Sequence, residues 1–381
     1  MKTSTDRILT THVGSLPRPV DVTTAIFSLE RGEPVDAVAH DMVIRRAVND
    51  VVARQVASGV DIVSDGEMGK ISYATYIKYR LSGFEGDSPR TPPADLEDFP
   101  GFLLHQAKTG GTPTYTRPRC VGEVRHVNSQ PVARECAVFR EAVGAHRPVD
   151  AFLNSASPGV IAMFQPNAHY KSHEEYLAAV AEAMRIEYEA IVAAGFVLQI
   201  DSPDLGLGRH MMFKRLAEAD YLRHVNANVD ALNQALRNVP ADRVRMHVCW
   251  GNYEGPHTHD APLATVMPVA LRAKPQSLLF ESSNPRHAHE WEDLSSIEIP
   301  DDKILIPGVV DTTTNFVEHP RLIAQRILNV ARVVGRERVI AGTDCGFSTF
   351  AGYPGIDTDI VYAKFRAMRE GAEMATDALW R

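Results

Sequence analysis

The run Met246-His247-Val248-Cys249-Trp250-Gly251 sets an imidazole and a thiol two residues apart. Along a strand, residues two apart point to the same face, so His247 and Cys249 can grip one ion together. Such a pair alone is weak evidence, and two further residues give it meaning. Glu281 lies 32 residues beyond Cys249, and Cys345 a further 64 beyond Glu281. One strand–helix unit of an eightfold barrel averages about 31 residues. The spacing therefore puts these groups at the C-terminal ends of strands five, six and eight, the end where barrel active sites are built. An imidazole, two thiolates and a carboxylate suit Zn²⁺ by softness and by tetrahedral geometry. Structural zinc takes close cysteine pairs, which this chain lacks, so ligands spread over three strands imply a catalytic ion. The plainer alternative is that Cys249 and Cys345 are small buried apolar residues.

The elements that must position these groups are short β-rich runs alternating with helical stretches. Eight runs are readable. The first leads into His12, and the next are Val60–Ser64, Ala151–Asn154, Phe196–Ile200 and Arg243–Cys249. Ser277–Phe280, Ile304–Ile306 and Val339–Gly342 complete the count. The expected fold is thus α/β, a single (β/α)8 barrel domain over residues 1–381. Helices are predicted over Ser172–Ala194 and Pro320–Val334. In the first, Tyr176, Val180, Met184, Tyr188 and Ile191 recur at helical steps and face the barrel. Residues 69–149 break the repeat. They are rich in Pro, Gly and Thr, as in Thr91-Pro92-Pro93 and Thr109-Gly110-Gly111-Thr112-Pro113. They read as an insertion after strand two, over the barrel mouth, with a hairpin around Cys120–His126 and a helix near Ala133–Ala142.

Composition narrows the partners. Of 381 residues, 44% are hydrophobic and 23% charged, which excludes wholesale disorder. The net charge of −8 leaves no basic footprint for nucleic acid or an anionic membrane. No apolar run approaches the roughly 20 residues that span a bilayer, and the N-terminal residues lack the apolar core of a signal peptide. Four cysteines are too few for a disulfide framework. The expectation is a cytoplasmic enzyme acting on a small molecule. Neither a Walker loop, nor G-x-G-x-x-G after a strand, nor G-x-S-x-G is present.

The strand His247-Val248-Cys249, Glu281 in Phe280-Glu281-Ser282-Ser283, and Cys345 in Asp344-Cys345-Gly346 resemble the zinc ligands of cobalamin-independent methionine synthase. Val13-Gly14-Ser15-Leu16-Pro17, Asp65-Gly66-Glu67, Gln199-Ile200-Asp201-Ser202-Pro203 and Gly308-Val309-Val310-Asp311 extend the likeness over nearly the whole chain. It covers only the C-terminal catalytic half of that two-barrel enzyme. Epoxyalkane:coenzyme M transferase is a relative of comparable size. The resemblance implies a methionine synthase/uroporphyrinogen decarboxylase-like barrel that transfers a methyl group to a zinc-activated thiol, homocysteine first, giving methionine. Alkyl transfer to another thiol, such as coenzyme M, is the alternative. Uroporphyrinogen decarboxylase shares the barrel but needs no metal, and the four ligands speak against it. A solute-binding or zinc-storage protein would want a secretion signal or a closed metal cage.

The chemistry of such a site follows from the metal. A free thiol titrates near about 8.5 and is mostly protonated at neutral pH, whereas a coordinated one is deprotonated and still nucleophilic. The resemblance implies that Glu67 and Asp201 hold the substrate amine and that Gly14-Ser15 hold its carboxylate. Capping of following helices is the structural alternative for both acids. His12, just before Val13-Gly14, is expected to touch the substrate, and Arg18, Tyr115 and Trp250 to wall it. Two departures stand out. The family's histidine after the Gly-Val-x-Asp strand is replaced by Thr312-Thr313-Thr314, leaving Asp311 to handle protons. Asp201 is followed by Ser202-Pro203 where the family has Glu-Pro. With the N-terminal barrel missing, these put methyl-folate in question and leave a methylated corrinoid protein or another small donor open. His257-Thr258-His259-Asp260 reads as a solvated loop, and His287 and His289 as exposed.

Overall fold

The computed structural model describes residues 1–109, 115–353 and 355–381. Its strands, in chain order, are β1 (Ile62–Ser64), β2 (Phe84–Glu85), β3 (Arg119–Cys120), β4 (Asp150–Ala156) and β5 (Val197–Asp201). They continue as β6 (Val244–Val248), β7 (Ser277–Phe280), β8 (Ile304–Val310) and β9 (Gly342–Thr343). Seven of these form one parallel sheet in the order β1-β4-β5-β6-β7-β8-β9. The expected first strand is reduced to Thr10-Thr11, which makes parallel bridges to Ala341 at one edge and Ile62 at the other. Thr11 N–H donates to Ala341 O at 2.8 Å, and Ile62 N–H to Thr10 O at 3.1 Å. The sheet is therefore curled until its edges meet across two residues, as in a TIM-like barrel. The threonine hydroxyls add to this junction: Thr10 donates to Gly59 O and Thr11 to Ile62 O.

Period-two alternation explains the inner face. Phe152 on β4 and Val197 on β5 join Leu9, Ile62, Leu279 and Ile306 in a small apolar cluster. Two and four residues further along the same faces come Asn154, then Gln199 and Asp201. Arg245 and His247 follow the same parity on β6. The interior thus climbs from an apolar plug to polar groups at the strand ends, while the larger core lies between sheet and helices. The helix His173–Ala193 buries Tyr176, Val180, Met184, Tyr188 and Ile191, as its periodicity predicts. Ser172 caps it by accepting from Glu175 N–H. The helix Pro320–Val334 also forms. No helix among the described residues is long and apolar enough to cross a membrane.

Between β1 and β4 the chain forms the helices Ala94–Asp98, Pro100–Thr109 and Gln130–His146. The hairpin expected at Cys120–His126 is corrected. Arg119-Cys120 pairs instead with Phe84-Glu85, in antiparallel register. The turn-rich residues 110–113 lie outside the described residues.

Candidate functional site

The two thiols sit just past strand ends. Cys249 follows β6 and Cys345 stands two residues beyond β9, while His247 lies on β6 itself. The ligand atoms of these three buried residues all lie within 4.8 Å of one another, and the two sulfurs are 3.6 Å apart. Glu281, the residue after β7, stands outside that group. One of its oxygens accepts from Trp250 N–H at 2.7 Å and the other from Asn284 Nδ2 at 2.7 Å. Asp344 ties the two loops together, accepting from the N–H groups of Ser282, Ser283 and Asn284 at 2.8–2.9 Å.

These donors fit a dication. Contact with Cys345, then burial, pushes the Cys249 thiol well above its ordinary range. Burial, then the Cys249 thiol, does the same to Glu281. The Cys249 contact lowers the pKa of the Cys345 thiol, but burial raises it on balance. Burial opposes charge on His247, but Asp201 holds its pKa above the usual value. Groups whose anionic forms are suppressed in each other's company become ionised together only around a positive charge.

Glu67 stands three residues past β1, with φ at 56°. A left-handed conformation at a non-glycine residue is strained and persists where its surroundings impose it. Here Arg18 donates to Glu67 O from Nε at 3.2 Å and from Nη2 at 2.8 Å, and to Ser348 O at 2.8 Å. Glu67 Oε2 is buried and has no partner. Burial raises its pKa to about 7, against the pull of Lys70. Asp201, the last residue of β5, accepts from Gln199 Nε2 at 2.9 Å and from Asn154 Nδ2 at 3.0 Å. Neither acid caps a helix; the short turns that follow begin after Ala74 and Gly206. Ser15 packs against the strand end carrying Cys345, where a Cβ on Gly346 would collide with its hydroxyl.

Three expectations fall elsewhere. His12 is fully buried, its ring against Phe152 and Phe365 and its Nε2 2.7 Å from Gln55 Oε1. Burial lowers its pKa to about 3, so it serves as a neutral core residue. Asp311 is closed on itself: its oxygens accept from the N–H and hydroxyl groups of Thr313 and Thr314. Trp250 is buried, and its indole donates to Ala261 O, so it walls no substrate.

The histidines read as solvated are partly a buried network. Asp260 Oδ2 faces His257 Nδ1 at 2.9 Å and His287 Nε2 at 3.0 Å. His287 Nδ1 faces Glu290 at 2.6 Å. Burial opposes charge on His287, but Asp260 and Glu290 raise it to about 10. Asp95, His210 and Asp260 form a second close group of donor atoms. Both nitrogens of His210 are already engaged there, by Asp95 and by Trp250 O, each at 2.8 Å. His259 and His289 are exposed as expected. Sequence reading also missed Asn154; its one signal was a polar residue closing an apolar run.

A cavity of about 1310 Å³ reaches Gly251 and Asn252, just after Cys249. Tyr73, Tyr115, Arg117, Phe164 and Phe350 line another part of it. Tyr73 is near enough to both thiols for each to raise its pKa further after burial.

Residues 114–373 match the family model described as the catalytic domain of cobalamin-independent synthase. A methionine synthase of Saccharolobus solfataricus is 24% identical, over 98% of this chain and 96% of that protein. A 2-hydroxypropyl-CoM lyase of Xanthobacter autotrophicus is 26% identical, over 96% and 94%. The B12-independent methionine synthase structure from Shewanella sp. W3-18-1, in complex with selenomethionine, superposes with a TM-score of 0.73 at 19% identity. It covers 98% of this chain and 99% of the other, which supports the barrel fold. A single family thus accounts for the sheet, the mouth and the His-Cys-Cys group: this chain belongs to the cobalamin-independent synthases, through their catalytic domain.

Proposed function

We propose that this chain transfers a methyl group to the thiol of homocysteine, using zinc held by His247, Cys249 and Cys345, with Glu281 completing the set. The observation that carries the reading is the buried group of two thiols and an imidazole, next in the chain to the Gly251-Asn252 lining of a large cavity. Bound zinc would supply a Lewis acid that favours the thiolate form of the substrate. The protein residues do the rest. Glu67 and Asp201 hold the substrate amine, Gly14 and Ser15 its carboxylate, and together they aim the sulfur at the cavity. The sulfur then attacks the methyl carbon, an S–C bond forms, and the donor leaves with the electron pair of the broken bond. Residues 69–149 serve as the cover that shapes the donor cavity. Reactive thiols kept free fit a reducing cytoplasm.

Zinc-edge X-ray absorption tests the reading. Homocysteine should add one sulfur to the metal's coordination shell. A spectrum blind to homocysteine would remove homocysteine as substrate, and a protein that retains no zinc would remove the metal.

One observation favours a second thiol. Arg117 lines the cavity with its Nε buried and unpartnered, a fit for the sulfonate of coenzyme M. Under that reading Arg117→Gln weakens coenzyme M binding and spares homocysteine.

A further inference from the structure

Asn154 lies on β4 with its side chain buried. Its Nδ2 donates to Val13 O at 2.9 Å and to Asp201 Oδ2 at 3.0 Å. Both amide hydrogens are thereby used, and the flipped amide would set oxygen against two acceptors, so the orientation is fixed. The remaining atom, Oδ1, is buried and has no partner. It points over Gly14: a Cβ built there would stand 2.4 Å from Oδ1. Gly14, at φ 142°, is thus the residue that leaves room for this amide. Two buried acceptors without partners, Glu67 Oε2 and Asn154 Oδ1, belong to residues that both interact with Asp201: the Asn154 amide donates to its carboxylate, and the Asp201 charge acts on Glu67.

We infer that Asn154 Oδ1 is the third acceptor of a cage for a primary ammonium group, with Glu67 and Asp201 as the other two. This rests on the amino-thiol reading above and deepens it. A primary ammonium has three N–H donors, and a buried donor or acceptor without a partner is costly. Two carboxylates already exceed the single positive charge of the ligand. A third carboxylate would be repelled by them, whereas an amide adds an acceptor without adding charge. The backbone carbonyl of Asn154 is taken by Lys70 Nζ at 2.6 Å, which fixes the strand from behind. The cage selects thiols that carry an α-amino group, and it gives Asn154 a role in specificity.

The test compares L-homocysteine with 4-mercaptobutanoate, its analogue without the amine, by calorimetric binding to the zinc-loaded protein. Wild type should prefer homocysteine. Asn154→Ala should weaken homocysteine about tenfold or more and 4-mercaptobutanoate by less than about twofold. Asp201 stays pinned in this variant by Gln199. Equal weakening of both ligands, or an unchanged preference, overturns the inference. If Asn154→Ala fails to unfold cooperatively, Asn154→Ser is judged by the same ratio. Loss of preference in Glu67→Gln but not in Asn154→Ala would keep the amino-thiol reading and reject Asn154. No preference in wild type rejects both.

Discussion

Oδ1 of Asp201 lies 3.6 Å from Nδ1 of His247. The carboxylate proposed to hold the amine therefore also faces the imidazole proposed to hold zinc. A carboxylate behind a ligating histidine orients the ring and raises its basicity, and its loss costs about 10–100-fold in metal affinity. Asp201→Asn should lose zinc to a competing chelator by about that factor and weaken homocysteine as well. Unchanged zinc affinity would confine Asp201 to the substrate.

Cys249→Ser and Cys345→Ser should each purify without stoichiometric zinc and without methyl transfer, because no other thiol stands in the group. Metal analysis of the purified variants decides it. Full zinc content in either variant would exclude that cysteine as a ligand.

Glu67 gives a dependence on pH. Its pKa is raised from an ordinary 4.5 to about 7, so the folded chain disfavours its charged form. No penalty exists where the proton is bound in both folded and unfolded chains. The penalty grows as pH rises from about 4.5 to about 7 and is constant above. Glu67→Gln should therefore melt higher than wild type at pH 8, with the gap closing near pH 4. Homocysteine affinity should gain on that of 4-mercaptobutanoate as pH rises through about 7. A pH-independent ratio would count against Glu67 as the amine partner.

Asp260→Asn removes the acceptor shared by His257 and His287 and leaves two buried imidazoles facing a neutral amide. Breaking a buried charge pair costs roughly 3–5 kcal/mol, so chemical denaturation should show a loss of that order while zinc content holds. His287 has a folded pKa near 10, above its unfolded value. Its contribution is complete below about pH 6.5 and fades as pH rises through 10. Wild type and Asp260→Asn should converge in stability over that range.

The strands and the His-Cys-Cys group were readable because both rest on local rules. Alternation sets which side chains share a face, and unit length sets which residues reach the mouth. What was hidden depends on how side chains turn toward one another, near or far in the chain. His257 and His287 sit in charged, turn-rich segments that resemble solvated loops, and it is the shared Asp260, 27 residues before His287, that joins them in one buried network. Asp311 reads as a free carboxylate until Thr313 and Thr314 fold back onto it. The value of Asn154 lies in which two acceptors its amide meets, and neither is its neighbour in sequence.

The edges of the sheet meet at Thr10-Thr11, and the proposed substrate seat lies beside that seam. Ser15 follows the first residues of the chain, while Gly346 and Cys345 come after β9. A nascent chain emerging from the ribosome presents His247 and Cys249 long before Cys345. Under the proposed reading, until the final turn of sheet is drawn in, the ion would lack a ligand and the amino acid a floor. Metal capture would then be coupled to completion of the fold, and a chain stalled before Cys345 should emerge as a zinc-free, catalytically silent intermediate.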